Sequence, residues 1–362
     1  MRLIDYLSKD FEDISLENIE WNCLNGKRVL ITGSTGMIAS YIIYFLCFLR
    51  ERKNITVSIL AQARNEEKAY SKFSEFWECD YFEFRNDNIL FPVTDMPSCD
   101  YVIHAASLAN PRCYSTMPIE VAEPNAIGTY NLLKYAVENQ CKGFLYFSSG
   151  DVYGKVNEVE NITEEDMGCV NPLDLHSCYS ESKRMGETWC KLFAHEKKIR
   201  TIIARIGHTY GPTMNLEEDP RVFASFMKSL IQREDIIMFS DGLAKRPFCY
   251  LSDAVVAFFL ILFKGKSGDA YNVCNTKEFL SMNELAQIIL SLNKERNLKL
   301  IHRNRELSDS YIENKDNKSN KPVAWKLEEL GWNPKVSTKV GFARTLEYLE
   351  DRNKHEKKEV SV

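Results

Sequence analysis

The stretch GKRVLITGSTGMIAS, residues 26–40, decides how the rest of the chain is read. Arg28 to Thr32 read as a buried strand, rich in β-branched and apolar side chains. Glycines follow at 33 and 36, and an alanine at 39. This is a GxxGxxG turn whose last glycine is replaced by alanine. The first glycine permits a tight turn. The second lets the backbone approach a pyrophosphate. The third position must be small so that helix and strand can close together. The helix expected from Met37 to about Arg50 then offers free N–H groups and a positive dipole end to phosphate. A glycine turn alone is a weak sign, because many strand–helix junctions use one. Its weight comes from standing at the first junction of an alternating chain.

The alternation continues outward from that turn. ITVSILAQA (55–63) reads as a second strand and EEKAYSKFSEFWE (66–78) as a helix. CDYVIHAAS (99–107) is a buried strand, and NAIGTYNLLKYAVEN (125–139) a helix with apolar residues at three- and four-residue steps. GFLYFSS (143–149) is a strand, CYSESKRMGETWCKLFAHEK (178–197) a long helix, and RTIIARIG (200–207) a further strand. Apolar strands alternating with helices predict a parallel sheet covered on both faces. The expected fold class is α/β, a Rossmann-type doubly wound parallel sheet with a smaller C-terminal α/β substrate domain. The expected boundaries are 1–210 for the dinucleotide domain, whose first 25 or so residues are an extension, and 211–350 for a mainly substrate-binding domain interleaved with it. Residues 351–362 read as a disordered tail and 314–320 as a polar loop.

Composition narrows the function classes. The 362 residues are 44% hydrophobic and 27% charged, enough for a large core. The net charge of −5 and the lack of a basic run argue against nucleic acid as a partner. Eleven cysteines are scattered without a CxxC pair, and no secretory signal is seen, which fits reduced thiols in a cytoplasmic protein. The six histidines form no ligand cluster, so no metal is expected. MIASYIIYFLCFL (37–49) is too short to span a bilayer comfortably and reads as a buried helix, so no membrane is expected either.

Enzymes that use NAD usually carry an acid at the end of the second strand for the ribose hydroxyls. This chain has LAQARN (60–65) there. Arg64 is read as meeting a 2′-phosphate, stacking on adenine, or simply facing solvent. The cofactor expected is NAD or NADP. Tyr179 and Lys183 form YxxxK, and four residues apart on a helix they share a face. A phenol ionises near pH 10, and an ammonium close by is expected to favour the phenolate, making Tyr179 a base. YxxxK is common by chance. It becomes specific with Ser149 at the end of the preceding strand and a dinucleotide turn far upstream.

On these residues the chain resembles the extended short-chain dehydrogenase/reductases that modify nucleotide sugars. The resemblance runs from about Lys27 to Leu349. It is carried by TGSTGMIAS, DYVIHAAS, NAIGTYNLL, SSGDVYG, YSESKRMGE, ARIGHTYGP, FCYLSDAV and LEELGWNPKVS. VNPLDLHSCYSESKRMGETWC and RVFASFM look most like UDP-glucuronate decarboxylases, with dTDP-glucose 4,6-dehydratases and 4-epimerases further away. The resemblance implies that Tyr179 takes a proton from a sugar hydroxyl, usually at C4, and that Ser149 hydrogen-bonds that oxygen. It implies that Lys183 holds the nicotinamide ribose while hydride passes to bound NAD(P)+. The 4-keto sugar acidifies C5, so decarboxylation, dehydration or epimerisation can follow, and a returned hydride closes the cycle. A ketoreductase and a non-catalytic dinucleotide sensor are the alternatives on the same fold.

Gly150 and Asp151 separate these outcomes. The dehydratases place two acids after the Ser/Thr, and here the first slot is a glycine with no proton to give. The decarboxylases have serine then glutamate there; Gly150 lacks the serine hydroxyl, and Asp151 keeps the acid but one methylene shorter. They also tend to carry a lysine where EVAEPNAIG (120–128) has Glu123, and an anion there weakens the case for a substrate carboxylate. An epimerase fits as well as a decarboxylase. Asp151 is read as catalytic or as a turn-capping aspartate.

The resemblance also implies a cofactor cradle of Gly33, Thr35, Gly36, Met37, Ile38, Ala105, Ala106 and Ser107, with Asp87 and Asn88 near the adenine. Its substrate candidates are Asn110, His208, Arg221, Arg246 and Tyr250. A guanidinium fork suits a diphosphate, most directly at Arg246. His208 either bonds substrate or satisfies a loop, His104 reads as structural, and Asn125 as a tie between loops. The apolar faces of 125–138 and 179–195 resemble the helices that form a homodimer bundle in such proteins, or they only pack on the sheet.

Overall fold

The computed structural model describes residues 2–156, 159–303 and 320–359, with side chains described through residue 352. Seven strands form the main sheet: β1 (Arg28–Thr32), β2 (Ser58–Gln62), β3 (Phe82–Arg85), β4 (Tyr101–His104), β5 (Gly143–Ser149), β6 (Thr201–Ile206) and β7 (Asp269–Val273). Their spatial order is β3-β2-β1-β4-β5-β6-β7, and every pairing is parallel. Chain direction across the sheet reverses between β1 and β4. In an open α/β sheet the crevice outside the carboxyl ends at that switch point is where a ligand binds.

The core explains the sequence pattern. All four residues of β4 and the first six of β5 are buried, as strands sandwiched between helical layers must be. β3 was absent from the expected elements. It is a four-residue edge strand, only its first residue is buried, and its FEFR carries no long apolar run. The helix Met37–Arg52 is buried continuously from Ala39 to Leu49. A helix that is apolar all round needs cover on every side. Here the sheet covers one side and the N-terminal extension the other, with Phe11 edge-on to Tyr41 (5.2 Å) and Trp21 edge-on to Phe45 (5.1 Å). Among the described residues no helix is long and apolar enough to cross a membrane.

The C-terminal part has its own core around Tyr210, Phe223, Phe248, Leu285 and Phe342. It contains a three-stranded sheet of Phe279–Ser281, Lys245–Tyr250 and His208–Tyr210, and a parallel pair, Ile236–Met238 with Leu300–His302. Between these segments the chain returns to the main sheet, where the helix Leu251–Lys264 packs on the core and β7 forms the far edge. The last helix has backbone helical from Thr338 to Glu359, through most of the segment expected to be a tail. Of the polar loop 314–320, only Asn320 falls within the described residues.

Candidate active site

The first turn has the geometry its glycines foretell. Gly33 adopts φ +64°, and a Cβ there would stand 2.6 Å from the Ala106 Cα, so the β1 turn can lie against the end of β4 only as glycine. Gly36 is the N-cap of the helix Met37–Arg52, and Ala39 is the small residue at the third position. Around this turn three buried side-chain oxygens have no hydrogen-bond partner among the described residues: Ser34 Oγ, Gln62 Oε1 and Ser107 Oγ. Buried polar atoms are normally satisfied. Three orphans beside free helix N–H groups, at the ends of β1, β2 and β4, fit a polar ligand with phosphate and ribose oxygens.

His104 supports this crevice from below. Its Nε2 lies 3.2 Å from the Pro124 carbonyl, which can only accept, so Nε2 carries the proton and Nδ1 accepts from the Thr32 hydroxyl at 2.8 Å. Thr32 in turn accepts from the Ala106 amide at 3.3 Å. Burial, with help from Lys183, lowers the His104 pKa to about 3, so the ring is neutral and structural. Asn125 is buried and ties two helices, donating to the Val121 carbonyl and to Ser182 Oγ.

Strand β5 ends at Ser149, whose hydroxyl accepts from the Asp151 amide at 3.2 Å and starts the short turn Gly150–Tyr153. The helix Ser177–Glu196 turns Tyr179, Lys183 and Glu187 inward at four-residue steps. Ser149 favours the ionised form of both Tyr179 and Asp151. Burial raises the Tyr179 pKa above the usual phenol value, and the Asp151 charge raises it further; Arg221 pulls the other way. Burial lowers the Lys183 pKa to about 7, against the pull of Glu187 and Asp151. Its ammonium donates to the Phe147 carbonyl at 2.6 Å and stands 5.7 Å from the Tyr179 ring centre. The phenol is therefore not depressed as Lys183 was expected to make it, because desolvation dominates at Tyr179 and the amine stands off the ring. Asp151 is reachable by solvent from the cleft yet crowded by protein. That crowding raises its carboxyl pKa, while Ser149, Arg246 and Lys183 lower it.

The substrate candidates divide. His208 and Arg246 are both half-buried: Arg246 acts electrostatically on both Asp151 and His208, and burial together with Arg246 and Arg221 takes His208 down to about 3. Arg221 is engaged already, bidentate on Asp219 (2.6 and 2.8 Å), donating to the Thr209 carbonyl at 2.9 Å, and touching Met37 Sδ at the phosphate turn. It thus joins the C-terminal part to the cofactor turn, as does Thr213, which donates to the Met37 carbonyl at 2.8 Å. Tyr250 requires correction as a substrate residue. It has no exposed surface, and its hydroxyl donates to Asp10 of the N-terminal extension at 2.6 Å. Its local sequence could not reveal this, because the partner lies 240 residues away. Asn110 accepts from the Arg112 amide, Asp87 pairs with Arg85 at 2.8 Å, Asn88 caps the Leu90 amide, and Arg64 is exposed beyond the end of β2.

Two features escaped the sequence reading. Tyr114 stacks on Tyr179, ring centres 5.0 Å apart and planes 12° from parallel. It sits in the four-residue helix Cys113–Thr116, too short to carry a periodic signal. Beneath Lys183, Glu187 is paired bidentately with Arg205 (2.8 and 3.0 Å) and accepts from Ser148 at 2.6 Å. Its position four residues after Lys183 was the available clue. Among the described residues no group of three or more His, Cys, Asp or Glu could hold a metal ion.

A dinucleotide turn at the switch point, with Ser149, Tyr179 and Lys183 converging beside it, defines the class that the comparisons then make specific. The model of the NAD dependent epimerase/dehydratase family matches residues 29–274. The chain is 30% identical over 317 residues to UDP-glucuronic acid decarboxylase 6 of Arabidopsis thaliana, spanning 87% of this chain and 86% of that protein. It therefore belongs to the NAD-dependent epimerase/dehydratase family, and its cofactor is NAD or NADP. Its fold matches UDP-glucose 4-epimerase of Thermotoga maritima, with TM-score 0.74 and 22% identity over 90% of this chain and 99% of that one. It also matches UDP-glucuronic acid 4-epimerase of Bacillus cereus in complex with NAD, with TM-score 0.72 and 20% identity over 90% and 96% of the two chains.

Proposed function

We propose that the protein converts a nucleoside-diphosphate sugar through a transient 4-keto intermediate, and ends the cycle by epimerisation or decarboxylation rather than by 4,6-dehydration. The observation that carries this reading is the turn at the end of β5, where Ser149 accepts from the Asp151 amide and glycine alone fills the slot between serine and acid, with the buried Tyr179 acted on by both. Residues 33–38 and 105–107 would hold the dinucleotide, which when bound supplies the hydride acceptor and later the donor. Tyr179 takes the proton of the sugar hydroxyl in its ionised form, which Ser149 and Arg221 favour against burial and the Asp151 charge, while Ser149 donates a hydrogen bond to the same oxygen. Tyr114 and the buried wall hold the phenol in one orientation. Arg246 and His208 face the remainder of the substrate. In a decarboxylation the C5–carboxyl bond breaks, its electron pair enters the keto group as an enolate, and CO2 leaves. Asp151, whose raised pKa keeps a proton nearer to neutrality, returns one to C5. In an epimerisation Asp151 only orients the sugar.

The named relatives support a UDP-sugar as the first substrate to test. Residues 211–350 would bind most of it. We also infer a homodimer, supported by exposed Ile127, Tyr130 and Leu192 on the paired helices beside Trp189, which packs 4.9 Å from Tyr130. A cytoplasmic setting fits eleven unpaired cysteines. The deciding experiment incubates the purified protein with UDP-, dTDP-, CDP- and GDP-sugars without added cofactor and reads products by mass spectrometry and NMR. Loss of CO2, or an altered NMR spectrum at unchanged mass, is expected. Loss of water, or turnover that consumes NADPH stoichiometrically, overturns the proposal.

A further inference from the structure

The end of β2 differs from what an NAD site needs, and the difference has a direction. A carboxylate there can accept from both ribose hydroxyls of NAD at once, and its charge repels a 2′-phosphate. In this chain the place is taken by Gln62, 2% exposed and paired in register with Thr32 of β1. Its amide nitrogen is committed, donating to the Asp87 carbonyl at 2.5 Å. That fixes the amide orientation and leaves Oε1 buried without a partner among the described residues. One neutral acceptor can take one ribose hydroxyl, and it carries no charge to repel a phosphate.

Two residues on stands Arg64. Three cations occupy the neighbourhood of this strand end: Arg64, Lys68 and Arg85. Arg85 is paired with Asp87 at 2.8 Å, and Lys68 with Glu218 at 2.7 Å. Arg64 is exposed and makes no hydrogen bond or ion pair among the described residues. Its backbone position is nonetheless set, because the next residue, Asn65, caps the helix Glu66–Phe73 by accepting from the Lys68 amide at 2.8 Å. The acids that follow, Glu66 and Glu67, lie in the first turn of that helix, where its dipole favours them.

We propose that the protein is selective for NADP over NAD, with Gln62 Oε1 accepting from the adenosine ribose and the Arg64 guanidinium binding the 2′-phosphate. The pairing is a charge-assisted, fork-shaped contact of the kind guanidinium makes with phosphate. It rests on the dinucleotide reading of the crevice, and it sharpens that reading by naming the form of the cofactor.

The test uses binding rather than turnover. Protein purified from its expression host is denatured, and the released nucleotide is identified by mass spectrometry. Stripped protein is then titrated with NAD+ and NADP+ by calorimetry, for the wild type, Arg64→Ala and Gln62→Glu. NADP+ is expected to bind at least about 10-fold more tightly than NAD+, since charged hydrogen bonds are worth roughly one to two decades of affinity. Arg64→Ala should weaken NADP+ by about 10- to 100-fold and leave NAD+ within about 3-fold. Gln62→Glu should reverse the preference. NAD as the released nucleotide, equal affinities, or an Arg64→Ala loss shared equally by both nucleotides overturns the selectivity, the last by making Arg64 an adenine-stacking residue. Failure of both nucleotides to bind would instead overturn the dinucleotide reading itself.

Discussion

Two charges are buried to the same degree in this molecule and treated in opposite ways. Asp10, 4% exposed, is saturated: it accepts from the Tyr41 hydroxyl at 3.0 Å, from the Tyr250 hydroxyl at 2.6 Å, and from the Arg344 guanidinium. Lys183, 3% exposed, has one described hydrogen bond, to the Phe147 carbonyl at 2.6 Å. Burying a charge costs free energy unless partners compensate it. Around Asp10 the compensation is complete, and the cluster joins the N-terminal extension, the first dinucleotide helix, the start of the helix Leu251–Lys264 and the last helix. Around Lys183 it is incomplete, and the amine gives up part of its charge, falling to about 7. A saturated charge holds a structure together. An unsaturated one stands ready for a ligand.

Substitutions can break this contrast, beginning with the largest effect. Tyr179→Phe removes the base and should lower kcat by about 10²- to 10⁴-fold. Its unfolding midpoint should stay close to the wild type, because the stacking on Tyr114 survives. A variant with wild-type turnover on every nucleotide sugar would refute the catalytic assignment. Asp10→Ala attacks the other pole. It leaves Arg344 with a distant Asp13 and two tyrosine hydroxyls unpaired, and should cost about 3–5 kcal/mol in urea unfolding. A loss under 1 kcal/mol would show that the cluster is not compensated as drawn.

Lys183→Met tests the sign of the second charge. The wild-type amine has its folded pKa depressed, so between about 7 and the unfolded value the unfolded chain binds the extra proton and stability rises with pH. Between pH 7 and 9 the wild type should gain about 2 kcal/mol relative to Lys183→Met, read by denaturation at the two pH values. Equal pH slopes would place the Lys183 pKa outside this window. The smallest effect is expected at Gly150. Its backbone needs no left-handed conformation, and a Cβ there would meet nothing closer than the Ile206 carbonyl at 3.9 Å. Gly150→Ala should therefore fold normally and gain up to about 0.5–1 kcal/mol, since it loses the flexibility of the unfolded glycine. A large loss of stability would mean that packing demands the glycine. Loss of turnover alone would mean that the open space serves the substrate.

Much of the fold was legible because its signals are local. Gly33, Gly36 and Ala39 act within one turn, and Tyr179 and Lys183 within one helical turn. Edge strand β3 was missed because four half-covered residues leave no buried run. Tyr114 was missed because a four-residue helix is too short to show a period from which to infer a face. The N-terminal residues were legible only as an extension. Nothing in their spacing announces that Asp10 closes a cluster with residues 31, 240 and 334 positions away.

The sequence by itself determined the chemistry available: a phosphate turn, a tyrosine and lysine on one helical face, a serine at a strand end, and glycine where a second acid would stand. Only the tertiary structure decided how those groups are charged and which residues share their cleft. It withdrew Tyr250 to Asp10, bound Arg221 to Asp219 and the cofactor turn, and raised the Tyr179 phenol instead of lowering it. The physical reason is that helix and turn geometry depend on neighbours in the chain. Desolvation and charge pairing depend on neighbours in space.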